Sequence, residues 1–177
     1  MTTPRDELQR RFLDLVEAHQ GIVHKVSALY AERPDAREDL HQEILTQLWR
    51  SFRSFRGEAR FSTWMYRVAL NTALLARRRG RRQPQRDAGP EEGGPVEPAS
   101  VAATESGPDV ERLRRCIRKL RELDRAVILL YLEQYTHDEI AELTGLTRGS
   151  VKVRIVRIKK RLRQSLLSPN RERGQAP

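Results

Sequence analysis

The segment THDEIAELTGLTRGSVKVRIVRIKKRLR, residues 136–163, reverses its charge across a single glycine. Ahead of Gly145 stand Asp138, Glu139 and Glu142 with no Lys or Arg. From Thr147 onward stand Arg148, Lys152, Arg154, Arg157, Lys159, Lys160, Arg161 and Arg163 with no acid. Guanidinium and ammonium groups distributed along one helix suit the phosphates and base edges of a nucleic-acid duplex. Thr136 and Glu139 fit a capping box ahead of Ile140 and Leu143, which predicts a short helix. Gly145 supplies a turn, Leu146 plugs the angle, and Thr147 caps a second helix whose Val151, Ile155, Ile158 and Leu162 form a core-facing stripe. Two helices, a short turn and a basic second helix make a helix-turn-helix. In that arrangement Arg148, Ser150, Lys152 and Val153 are placed for base edges, and Arg154, Arg157 and Lys160 for phosphates. The alternative is a solvated basic helix in a bundle.

Two further clusters lie upstream. In FRSFRGEARFSTWMYRVALNTA, residues 52–73, Phe52, Phe55, Phe61, Trp64 and Tyr66 alternate with Arg53, Arg56, Arg60 and Arg67. Unpaired bases need ring faces to stack on and cations for the backbone, which this run offers. The competing reading gives the rings to a core and the arginines to solvent. Gly57 sets a loop in the run, and the arginines of 77–82 are either a phosphate clamp or a solvated helix end. In DLHQEILTQLW, residues 39–49, Asp39 and Glu43 lie one turn apart beside Leu40 and Ile44. An acidic, partly apolar helix face in a basic segment suits a protein partner.

These clusters are carried by helical patterning throughout. Phe12, Leu15, Val16, Ile22, Val23, Val26 and Leu29 recur at helical spacing; Leu40, Ile44, Leu48 and Phe52 follow every fourth residue. A third stretch starts with Ser62 or Thr63 as its expected N-cap and ends in arginines before Gly80. Val110, Leu113, Ile117 and Leu120 form another stripe, and DRAVILLYLEQ is apolar on most sides, as a buried helix would be. Nothing alternates like a strand, so the expected fold is all-α: two small helical domains, 1–82 and 110–177, joined by a flexible linker at 83–109. The linker holds four Gly and five Pro in 27 residues and cannot bury enough apolar surface to order itself. It carries net charge −5, against +6 for residues 1–82 and +9 for 110–177, within a total of +10 over 177 residues. Two basic lobes on an acidic tether suggest two contacts on one polyanion; an acid run placed only for solubility is the alternative. The single Cys116 excludes an intramolecular disulfide and the four histidines show no metal-ligand spacing, so no metal or cofactor is expected. The polar N-terminus and the lack of an 18-residue apolar window point to a soluble cytoplasmic protein without membrane insertion.

In order, DLHQE, FRGEARFSTWMYRVALNTA, the Pro/Gly linker and THDEIAELTGLTRGSVKVRIVRIKKRL resemble an extracytoplasmic-function (ECF) sigma factor over most of the chain. The resemblance implies a promoter-specificity subunit of bacterial RNA polymerase, with sigma region 2 and region 4 helical domains and no enzyme activity of its own. It implies that Asp39, Leu40, Gln42 and Glu43 bind the clamp of the largest core polymerase subunit, and that the polymerase flap is a second contact. It implies that the loop with Phe55, Arg56, Gly57, Glu58 and Arg60 receives an extruded base of the −10 element, with Phe61 also in the −10 contact set. Ser62, Trp64, Arg67 and Asn71, with Arg77 and Arg78, would hold the separated strand. Thr147, Arg148, Ser150, Lys152, Val153, Arg154, Arg157 and Lys160 would read the −35 element of promoter DNA. Members of such a family are commonly held by an anti-sigma factor. Val153 and Ile155 stand where the commoner pattern has Ser and Leu.

A free-standing helix-turn-helix regulator is the alternative function; it would need neither the acidic face at 39–43 nor the aromatic–arginine run. Reach fits two contacts: elements two duplex turns apart are separated by roughly 70 Å. A 27-residue linker extends to about 90 Å but averages about 30 Å as a relaxed coil. Polymerase is therefore needed to hold the lobes apart.

Overall fold

The computed structural model describes residues 4–82 and 107–167, which form two compact units, one from each segment. All regular structure among the described residues is helical. The first unit contains α1 (Pro4–Ala18), α2 (Gln20–Tyr30), α3 (Pro34–Phe52) and α4 (Phe61–Arg82). The second contains α5 (Pro108–Arg118), α6 (Glu122–Leu132), α7 (His137–Thr144) and α8 (Arg148–Leu167).

In the first unit α2, α3 and α4 pack mutually. The i, i+4 stripe of α3, Leu40, Ile44, Leu48 and Phe52, is buried against Val23 and Val26 of α2 and Met65, Ala69 and Ala73 of α4 in a single core. His19 interrupts α1 and α2; its Nδ1–H donates to the Leu15 carbonyl at 2.9 Å, since a carbonyl can only accept. Pro34 sits at the start of α3, where its missing N–H costs no helical bond. α4 differs from expectation at both ends. It starts at Phe61, with Trp64 N–H donating to Arg60 O at 3.1 Å, so neither Ser62 nor Thr63 is its cap. The physical reason is ring packing: Phe61 is buried against Phe52 and Phe55, which draws the first turn forward. At its far end α4 runs through Gly80 to Arg82.

In the second unit α5, α6 and α7 each pack on α8. Arg125 to Leu130 of α6 are buried, as its apolar run requires; the buried Arg125 donates from Nε to Leu120 O at 3.0 Å. α5 opens at Pro108, two residues inside the segment read as linker; residues 83–106 of that linker lie outside the described residues. Of the α5 stripe, Ile117 and Leu120 are buried and Leu113 is half-buried, but Val110 is 42% exposed. Pro108, Asp109, Glu111 and Arg112 around it are all exposed, so its turn offers no apolar neighbour.

Candidate nucleic-acid and partner interfaces

The helix-turn-helix forms as its caps dictate. Thr136 Oγ1 accepts from Glu139 N–H at 3.3 Å and Glu139 Oε2 accepts from Thr136 N–H at 2.8 Å, closing the capping box. Gly145 ends α7 at φ +70°, a conformation open to glycine without strain, and Leu146 N–H returns to Ala141 O at 3.1 Å. Thr147 Oγ1 then accepts from Ser150 N–H at 3.2 Å and starts α8. Val151, Ile155, Ile158 and Leu162 are buried, which orients the opposite side of α8 outward.

Outside that stripe, Thr147, Arg148, Ser150, Lys152, Arg157 and Lys160 are exposed. Val153 is 49% exposed and Val156 68%. At 100° per residue the two valines lie on the side of α8 opposite its buried stripe, with cations on both flanks. Apolar side chains at that position can meet thymine methyl groups in a major groove. Val156 escaped sequence reasoning; its signal was an apolar residue out of phase with the stripe. Among the described residues, Arg154 is the one member of the expected phosphate set with an acidic partner: its Nη1 lies 2.7 Å from Asp124 Oδ1 of α6. Arg148 makes a looser pair with Asp138 of α7 at 3.4 Å, both well solvated. Lys159 turns away, its Nζ 5.1 Å above the Tyr131 ring.

The aromatic–arginine run of the first unit resolves into two populations. Phe52, Phe61 and Tyr66 are buried, at 4%, 8% and 1% exposure, so the core reading holds for them. The Phe61 ring is packed among Phe52, Phe55 and Trp64. Phe55 and Trp64 are half-buried rim rings, 5.2 Å apart, resting on Phe52. Between them and α3 the loop exposes Arg53, Arg56, Gly57, Glu58 and Arg60. Gly57 has φ +77°, and a Cβ there would meet nothing, so its glycine is required by backbone angle rather than by space. Along α4, Trp64, Arg67, Asn71 and Arg78 recur at i, i+3, i+7 and i+14 and share one face, where Leu75 is 49% exposed. Ser62 and Arg77 are half-buried.

On α3, Asp39 and Gln42 are exposed and Glu43 is half-buried. At 6% exposure the Leu40 side chain belongs to the core stripe, because it is four residues from Ile44. Glu43 Oε1 pairs with Arg79 Nη1 of α4 at 2.9 Å. The His41 ring lies 4.6 Å from that of His24 on α2. Burial holds the His41 imidazole below its usual value, a His24 cation would push the same way, and Glu38 opposes them. Among the described residues no group of three His, Cys, Asp or Glu could hold a metal ion, and no helix is long and apolar enough to cross a membrane.

One unit thus presents a cation-lined helix-turn-helix and the other a rim of rings and arginines. Residues 15–83 match the family model for sigma-70 region 2, and residues 110–162 that for sigma-70, region 4. The ECF RNA polymerase sigma-E factor of Haemophilus influenzae is 30% identical over 170 residues, 89% of this chain and 88% of that protein. The factor of the same name from Escherichia coli strain K12 is 34% identical over 163 residues, 84% and 83% of the two chains. The chain belongs to the ECF sigma factors of the sigma-70 family. Solved structures share its fold. The sigma factor RpoE, in complex with the anti-sigma factor NepR from Bartonella quintana, has a TM-score of 0.67 at 21% identity, covering 93% of this chain and 99% of that one. CnrH, in complex with the cytosolic domain of CnrY, has 0.63 at 20%, covering 92% and 91%.

Proposed function

We propose that this chain acts in the cytoplasm as a promoter-specificity subunit of bacterial RNA polymerase and is not itself an enzyme. The domain division follows the two basic segments, with residues 83–107 as the tether. The first unit docks on core polymerase through Asp39, Gln42 and Glu43 and holds the separated −10 strand along Phe55, Arg56, Arg60, Trp64, Arg67, Asn71 and Arg78. The second reads the −35 duplex through Arg148, Ser150, Lys152, Val153, Val156 and Arg157, with Lys160 on phosphate.

The observation that carries this reading is the outward face of α8, where two exposed valines stand between rows of cations. A major groove offers methyl groups for apolar contact and phosphates on either side, which this face matches. The solved relatives complexed with an anti-sigma factor and with CnrY support an anti-sigma partner for this chain also. The test is run-off transcription with core polymerase over a promoter library. Transcripts from a two-element subset, dependent on the chain, are expected. Duplex binding without any core association would favour a free-standing regulator.

A further inference from the structure

We infer that Asp124 is a positioning residue for specificity: it holds Arg154 on α6 and keeps one cation of the reading helix from neutralising a DNA phosphate indiscriminately. The inference rests on the proposed reading of duplex DNA by α8. Ser150, Arg154, Arg157 and Arg161 recur at i, i+4, i+7 and i+11 along one flank of α8. That flank borders a cleft of about 660 Å³ shared with Arg121 and Asp124 at the start of α6. Of the cations along it, Arg157 and Arg161 are exposed without an acidic partner among the described residues, while Arg154 is tied at 2.7 Å. Both members of this pair are shielded, Arg154 to 37% and Asp124 to 17% side-chain exposure, whereas the Arg148–Asp138 pair sits at 61% and 66%. Water therefore screens the Arg148 pair much more than the Arg154 pair.

The consequence is a change in kind of contact. A cation paired with a carboxylate brings little net charge to the duplex, so it releases less counterion and adds less to sequence-independent affinity. Its guanidinium still has N–H donors beyond the Nη1 committed to Asp124. Those donors are directional and reward a correctly placed acceptor. Lowering non-specific affinity more than specific affinity raises discrimination. Asp124 also lies in the first turn of α6, where an acid favours the helix regardless of Arg154; a test must separate the two roles.

The full chain is titrated by fluorescence anisotropy against labelled promoter and scrambled duplexes over a series of salt concentrations. Asp124→Asn should bind the scrambled duplex several-fold more tightly, lower the promoter-to-scrambled ratio, and steepen the plot of log Kobs against log salt by about 0.9. Over a fourfold salt increase that slope change is an extra loss of about 3.5-fold. With Arg154 already replaced by Ala, Asp124→Asn should add no such steepening over the Arg154→Ala chain. Asp124→Glu, which keeps the charge, should behave as wild type. An unchanged slope in a folded Asp124→Asn chain overturns the inference, as does an equal steepening with Arg154 absent. Should the wild-type chain bind no duplex in a salt-dependent way, the DNA reading falls first and the inference with it.

Discussion

Each unit ties an arginine of its proposed DNA-facing helix closely to an acid on a neighbouring helix, Arg79 to Glu43 in the first and Arg154 to Asp124 in the second, where the looser, solvated Arg148–Asp138 pair joins it. The settings differ. Arg79 is 64% exposed and its acid belongs to the α3 face proposed for polymerase; Arg154 is 37% exposed and its acid lies in a cleft of the DNA-reading unit. The same bond therefore sits in two functional contexts. A partner that engages Glu43 competes with Arg79 for it, whereas no partner is expected to reach Asp124 apart from the duplex itself. The units differ in their fillings too. Phe12, Trp49, Phe52, Phe55, Phe61 and Trp64 form a connected set of ring contacts in the first, while the second is filled by aliphatic side chains. Rings at the edge of a core suit the stacking proposed for the first unit, whereas the reading proposed for the second falls to the outer face of α8.

The largest expected effect tests the difference between the two acids. Glu43→Lys should lower core-polymerase affinity by at least about 100-fold, a fold-change of the size that reversing one buried interfacial charge produces. The fold should survive, because a half-exposed ion pair contributes at most about 1 kcal/mol. Asp124→Asn should leave core affinity unaltered in the same pull-down. Equal effects of the two changes would erase the distinction. Next in size is Trp64→Ala. Loss of one stacking face costs about 1–3 kcal/mol, or about 5- to 150-fold in the open-complex equilibrium. Permanganate footprinting of holoenzyme on the promoter reads it, with Tyr66→Phe as a control, since Tyr66 is 1% exposed and cannot meet a base. Wild-type opening by the Trp64 variant would return that ring wholly to the core.

Much of the architecture was legible because it is local. The Thr136–Glu139 box, the Gly145 turn, the Thr147 cap and the stripes of α3 and α8 are patterns of three or four residues, and each appears where the spacing puts it. What was not legible is set by packing between helices. Arg79 and Glu43 are 36 residues apart, and Arg154 and Asp124 30 apart, so no window joins them. The rings of residues 52–66 carry the same alternation whether they end buried or on a rim; only the folding of α4 onto α3 sends Phe52 and Phe61 inward and leaves Phe55 and Trp64 at the edge. Leu40 shows the same limit from the other side. Its neighbours Asp39 and Glu43 marked a docking face, but its i, i+4 relation to Ile44 decides where the side chain goes.

A smaller effect probes the valines of α8. Replacing thymines of the −35 duplex by uracils removes only methyl groups, and each methyl lodged against Val153 or Val156 should cost about 1 kcal/mol, near fivefold in affinity. Val156→Ser should weaken binding to the thymine duplex by a similar factor and lose its sensitivity to uracil. Full sensitivity in the Ser variant would move the methyl contact elsewhere.

The smallest effect is a pH dependence at the edge of the proposed docking face. His41 is held below its ordinary pKa by burial, with His24 of α2 adding to the effect and Glu38 of α3 opposing it. Well above about pH 6.5 the ring is neutral in both folded and unfolded chains and contributes nothing to the balance. As pH falls through that value the unfolded chain takes up its proton first, so folding loses stability, and the loss levels off below the depressed folded pKa. His41→Gln removes this term. Between about pH 7.5 and pH 5.5 the melting temperature of the wild-type chain should therefore fall further than that of the variant, carboxylate effects being common to both. His24→Gln should recover part of the same difference, since it removes the imidazole facing His41. Parallel melting curves for all three chains would show that the two rings share space without sharing charge.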